Sequence, residues 1–241
     1  MKTLLNDAYA PVTYQAGFLE SSFASTLDAL LKWQSEIGAE FDRQPRHEEF
    51  VGSLESALAR LEPLTTPPTK VLLMETRSNW TVFFDNGLRV SDPESAVGHL
   101  CAVKPCRGIV VHCSPDRSEV TDRDALRIYG IVSFRMFATH QTAWLNQERA
   151  VVAMNDGGSW LFSTEGAEQG FEEPERYAAR RIRDRLTDEM LERYCGALGI
   201  RLFDESFYGT KAAIITTVQR LAPGSPMMSL EDARSHTVGI S

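Results

Sequence analysis

The sequence predicts an α+β fold: a mostly antiparallel sheet of about seven strands, helices packed on one face of it, and a helical hairpin in front. Three observations carry this reading. Apolar residues recur at helical spacing before residue 62, short β-branched and aromatic runs separated by turn residues take over after residue 70, and the 241 residues are 43% hydrophobic and 24% charged, ordinary usage for a chain that buries its own core.

Residues 18–62 read as two helices. Phe23, Leu27, Leu30, Leu31 and Ile37 repeat at intervals built from threes and fours, and Phe50, Val51, Leu54, Leu58 and Leu61 do so after a break at Pro45. This front segment, residues 1–65, is acidic: nine acids face four bases between Gly17 and Thr65. Thr65-Thr66-Pro67-Pro68-Thr69 then forms a rigid connector, because each residue before a proline is pushed to extended geometry.

Residues 66–221 make the α+β core. Val71-Leu72-Leu73-Met74 and Trp80-Thr81-Val82-Phe83-Phe84 form a hairpin, closed by the turn chemistry of Asp85-Asn86-Gly87. Ser91 or Asp92 caps a helix with Pro93 in its first turn, ending before Pro105. Gly108–Cys113 is a buried strand. In residues 125–137, Leu126, Ile128, Val132, Phe134 and Met136 share one face, and Arg127, Tyr129, Ser133 and Arg135 the other. Ala150–Met154 and Trp160–Phe162 flank a turn at Asn155-Asp156-Gly157-Gly158. Helices follow near 174–185 and 188–198, the second capped by Thr187 and closed by Gly199, then a strand over 212–219 and a linker-like tail over 222–241.

An internal echo links two parts of the core. Met74 precedes Trp80 by six positions and Met154 precedes Trp160 by six; Pro93 follows the first Trp by 13 and Pro174 the second by 14, each between acidic residues. The spacing favours a ββα duplication, residues 70–104 and 149–186, with both indoles packed beneath the helix that follows.

Val111-His112-Cys113-Ser114-Pro115-Asp116-Arg117 resembles the signature of cysteine-dependent phosphatases, in which a Cys after an apolar strand and an Arg six positions later enclose a phosphate. Here Glu119 stands at the sixth position, Arg117 comes two residues early, and Pro115 removes an amide donor, so Cys113 reads as a small core residue. His99, Cys101, Cys106, His112 and Cys113 are zinc-ligand types without zinc-ligand spacing, and no metal or cofactor is expected. Between Phe171 and Arg201 seven bases meet seven acids, which describes a solvated, salt-bridged helix pair.

A net charge of −8 argues against a nucleic-acid binder, no run reaches the ~18 apolar residues of a spanning helix, and four cysteines are too few for a disulfide scaffold, so the expected compartment is the cytoplasm. The motif-poor, acidic composition leads to a non-catalytic protein-binding module, an immunity-type bacterial protein that neutralises a toxin by capturing a basic partner. Its expected contact residues are Glu36, Glu40, Glu48, Glu49, Glu55, Phe207 and Tyr208. The alternative is a hydrolase or transferase with dispersed acid/base residues, Asp85, His112, Asp116 and Arg117.

Overall fold

In the computed structural model, which describes residues 1–88, 93–117, 128–139 and 146–238, nine strands join into one open sheet. The chain runs β1 (Gln15–Leu19), α1 (Phe23–Ala39), β2 (Arg46–Val51), α2 (Leu54–Ala59), β3 (Leu64–Thr65), β4 (Lys70–Thr76), β5 (Thr81–Asp85), α3 (Pro93–Val103), β6 (Gly108–Ser114), β7 (Ile131–Phe137), β8 (Gln147–Asn155) and β9 (Trp160–Gly166). It continues through 3-10 turns at Pro174–Ala178 and Ile182–Asp184, then α4 (Asp188–Ala197), β10 (Tyr208–Thr216), β11 (Met227–Met228) and α5 (Leu230–Val238). The sheet order is β2-β10-β4-β5-β1-β6-β7-β8-β9, with antiparallel neighbours throughout, while β3 and β11 pair separately.

Helices cover both faces of the sheet, not the single face expected. Phe18, Val82, Phe84, Val111, Phe134 and Val151 point to one side, where α2, α4 and α5 close the core; Leu19, Leu73, Phe83 and Val110 point to the other, under α1 and α3. Central strands buried on both sides read as continuous apolar runs, so Val71–Met74 says nothing about which face a helix takes. The tight approach of α3 explains Gly17 and Gly108: a Cβ at either would lie under 3.0 Å from Val97.

Residues 46–51, expected in the second helix of the hairpin, form the edge strand β2, paired with β10 from Arg46↔Thr216 to Val51↔Lys211. Only Leu54–Ala59 is helical, started by the Ser53 Oγ, which accepts from the Ser56 N–H at 3.2 Å. Strand β1 was not anticipated either, and both additions bring the sheet to nine strands. Residues 174–185 are two 3-10 turns because Ala179 and Arg181 between them are extended. The tail is part of the body: Leu230 and Ala233 of α5 are buried in the first core. Ser91, Asp92, Leu126 and Arg127 lie outside the described residues.

The two Met-x5-Trp units do not occupy equivalent places. Trp80, just before β5, is buried on the face opposite α3 and donates from Nε1 to the Leu198 carbonyl at 2.9 Å. Trp160 opens β9, is half-buried, and lies on the same face as Tyr177 from the 3-10 turn that follows.

Candidate functional site

Helix α1 forms because Phe23, Leu27 and Leu30 make an apolar stripe behind the Ser22 cap, whose Oγ accepts from the Ser25 N–H. The stripe continues into Trp33, half-buried against the same core, and Ile37, which is exposed. They form one wall of a cleft of about 280 Å³ between α1 and α3, with Val71 and Phe83 as its floor and Pro67, Pro68 and Val218 closing one side. Trp33 stacks on His99 of α3, ring centroids 4.6 Å apart and 20° from parallel. Burial holds the His99 imidazole below its ordinary range, with Glu36 opposing the shift.

Polar groups in this mainly apolar cleft are few and fixed. Asp85, 4% exposed, ends β5 and accepts from the Gly87 N–H at 2.8 Å. Gln34 accepts from the Val218 N–H at 3.3 Å, tying α1 to the end of β10. Glu36 and the C-cap residue Glu40 are exposed at the same C-terminal end of α1 that carries Ile37 into the cleft, and Glu36 lies 4.0 Å from Lys32.

The other expected acids are distributed around the β2 edge. Glu49 pairs with Lys211 at 3.0 Å on the α1 side, and Lys211 also lies over the Phe23 ring. Glu48 points the other way, to Arg60 at 2.8 Å, whose guanidinium stacks 3.9 Å from the Phe50 ring. Glu55, in the first turn of α2, belongs to that second side, where it raises the Tyr9 hydroxyl together with the larger effect of burial. Phe207 and Tyr208 are corrected outright: they are 1% and 4% exposed, and Tyr208 donates its hydroxyl to the Leu202 carbonyl at 2.8 Å. A Phe-Tyr pair entering a strand supplies two core anchors, not a docking surface.

Of the alternative acid/base set, Asp85 and His112 face the α3 side of the sheet, but β1 runs between their strands. Across β1, β6 and β7 the register sets Gln15, His112 and Ser133 in one row. Burial, reinforced by Arg135, pushes the His112 imidazole down to about 4, so it is neutral at ordinary pH. Asp116 is engaged by Asn155 at 2.9 Å and Arg117 by Asp7 at 2.9 Å, so the four do not converge.

Burial, with Asp188 adding to it, pushes the Cys113 thiol up to about 12, and its Sγ donates to the Lys2 carbonyl. A thiol so disfavoured as thiolate is no phosphate nucleophile. Cys101 and Cys106 lie in the α1–α3 core and Cys113 in the opposite one, which separates the zinc-type residues. Among the described residues no group of three His, Cys, Asp or Glu side chains is placed to hold a metal, and no helix is long and apolar enough to cross a membrane.

Comparison with known protein families, curated proteins and solved structures finds no match to this chain.

Proposed function

We propose that the protein is a non-catalytic protein-binding module of the immunity type, which neutralises a bacterial toxin in the cytoplasm by capturing a basic surface. The observation that carries this reading is the apolar cleft between α1 and α3, with the Asp85 carboxylate in its lining and Glu36 and Glu40 exposed on the helix that walls it. A long basic side chain fits this combination: its methylenes pack on Trp33, Val71 and Phe83 while its cation meets carboxylates. Glu49, on the same side of β2, is paired with Lys211 and adds less to the negative field than Glu36 and Glu40 do.

A second reading, a hydrolase or transferase, is favoured by one observation, the row Gln15–His112–Ser133 with a neutral imidazole beside a hydroxyl. It lacks a carboxylate orienting His112 among the contacts of the described residues, and capture is the better supported of the two.

The test is binding of an Arg-Gly repeat peptide, followed calorimetrically. Asp85→Asn and Glu36→Lys/Glu40→Lys are each expected to weaken binding by about tenfold or more. Absence of binding, or equal affinity in all three proteins, overturns the proposal. Retained hydrolytic activity that disappears in Ser133→Ala would establish the second reading in its place.

A further inference from the structure

The arginine-rich segment 174–185 has a different fate from the neutral, salt-bridged helix pair that its composition suggests. The fold sorts its charges. Glu172 is buried and takes Arg149 from β8 through two hydrogen bonds, at 2.8 and 2.6 Å. Glu173 takes Arg193 of α4 in the same two-pronged way, at 2.7 and 2.9 Å. Asp188 accepts from the Lys2 backbone N–H, and the Lys2 ammonium reaches Glu192 at 2.5 Å. These four acids are engaged by partners outside the 3-10 turns, and within residues 174–185 five arginines stand against two acids, Glu175 and Asp184.

Arg176, Arg180 and Arg181 are exposed and form no ion pair among the described residues, and Arg183 comes no closer than 3.9 Å to its neighbour Asp184. The turns that carry them are pinned. Arg185 donates from Nε to the Ala179 carbonyl at 2.9 Å and lies 5.7 Å from the Phe162 ring centre, while Tyr177 donates to Glu172 at 2.7 Å and its ring packs 5.2 Å from that of Phe162. Arg181 and Arg183 are thereby held over the start of β9, where with Ser159, Trp160 and Ile182 they line an open recess of about 510 Å³. Trp160 is fixed there by Gly130, at which an added Cβ would come within 2.8 Å of the six-membered ring.

We infer that this recess binds a phosphate-bearing ligand with a planar ring, the chemistry of a nucleotide. Planar guanidinium forks match phosphate oxygens, and an indole offers a π surface that accepts any base. The volume falls within the range of small-ligand sites. The recess lies beside β9, the opposite edge of the sheet from β2, and the inference does not depend on the protein-binding reading.

ADP and pyrophosphate, titrated separately into the intact protein by calorimetry, test it. Saturable ADP binding is expected, tighter than that of pyrophosphate, weakened about tenfold or more by Arg181→Ala/Arg183→Ala and steeply reduced by added salt. Trp160→Leu should bring ADP down to the affinity of pyrophosphate, with Trp160→Phe retaining the difference and controlling for folding. No saturable ADP binding, ADP affinity unchanged in the double arginine variant, or equal affinity for ADP and pyrophosphate in the unsubstituted protein overturns the inference. Both arginines are exposed, so loss of binding in their variant does not reflect unfolding.

Discussion

Arg149 and Glu172 form a two-pronged ion pair with side chains only 2% and 0% exposed, and the remaining donors and acceptors are met as well. Arg149 also donates to the Gly166 carbonyl at 2.8 Å, and Glu172 accepts from the Tyr177 hydroxyl and the Gln169 N–H. Removing one partner leaves an uncompensated buried charge. Glu172→Ala or Arg149→Ala is therefore expected to lose about 3–5 kcal/mol in urea unfolding, whereas Arg149→Met/Glu172→Leu should recover much of it. Burial alone would raise the Glu172 carboxyl, but Arg149 and Tyr177 outweigh it and hold it below its usual value. Its contribution is thus present above the ordinary Glu range and lost as pH falls through the lowered value.

His112 gives a second, separate pH dependence. Its folded value of about 4 lies below the ordinary 6.5, so between these limits the unfolded chain takes up a proton that the native protein does not. Stability should be insensitive to His112 above pH 6.5 and fall by about 3 kcal/mol in total between there and pH 4. Arg135, the charge that faces the ring, is itself bonded to Glu94. Denaturant unfolding across this range should show a flatter profile in His112→Gln, and an unchanged profile would mean that the imidazole is already solvated in the native state.

The different settings of the two echoed tryptophans separate their mutational costs. Trp80→Ala should cost about 3–5 kcal/mol, the range for a large aromatic removed from a core, and Trp80→Phe should still lose the bond to the Leu198 carbonyl. Trp160→Ala, at a half-buried site, should cost clearly less. Equal losses would restore equivalence to the two units.

What the sequence made legible was decided locally. The β4–β5 hairpin is readable because Val71–Met74 and Trp80–Phe84 are apolar runs bounded by turn residues, and they pair as Leu72↔Phe84 and Leu73↔Phe83. Strand β2 is not, because Arg46-His47-Glu48-Glu49 has no apolar alternation; an edge strand needs none, and its state is set by β10, more than 150 residues later. The cleft was hidden for the same reason. Trp33 and Ile37 continue the core stripe of α1 in sequence, and only the approach of Asp85 and Val218 turns them into a wall. Likewise, counting charges over 171–201 balances them, while the pairing of Glu172 with Arg149 in β8 undoes the balance in space.

Cys113 should behave as core. Its raised thiol and burial predict resistance to alkylation in the native protein and reaction only on unfolding, followed by mass spectrometry with iodoacetamide. Rapid native labelling at neutral pH would contradict the burial of this strand end.

The acids around β2 and those on α1 should respond differently to reversal. Glu48 and Glu49 already sit against Arg60 and Lys211, so much of their field is cancelled locally, whereas Glu36 lies 4.0 Å from Lys32 and Glu40 caps the end of α1 in solvent. With a basic peptide as the probe, Glu36→Lys/Glu40→Lys should slow association strongly and flatten its ionic-strength dependence, and Glu48→Lys/Glu49→Lys should do so less. The second double variant places like charges beside Arg60 and Lys211, and because all four side chains are at least partly exposed this should cost only about 0–1 kcal/mol per pair in unfolding experiments. Stopped-flow association measured at several salt concentrations distinguishes the two surfaces. A larger effect from Glu48 and Glu49 would move the capture site from the α1 cleft to the open β2 edge, where an added strand, not a seated basic side chain, would make the first contact.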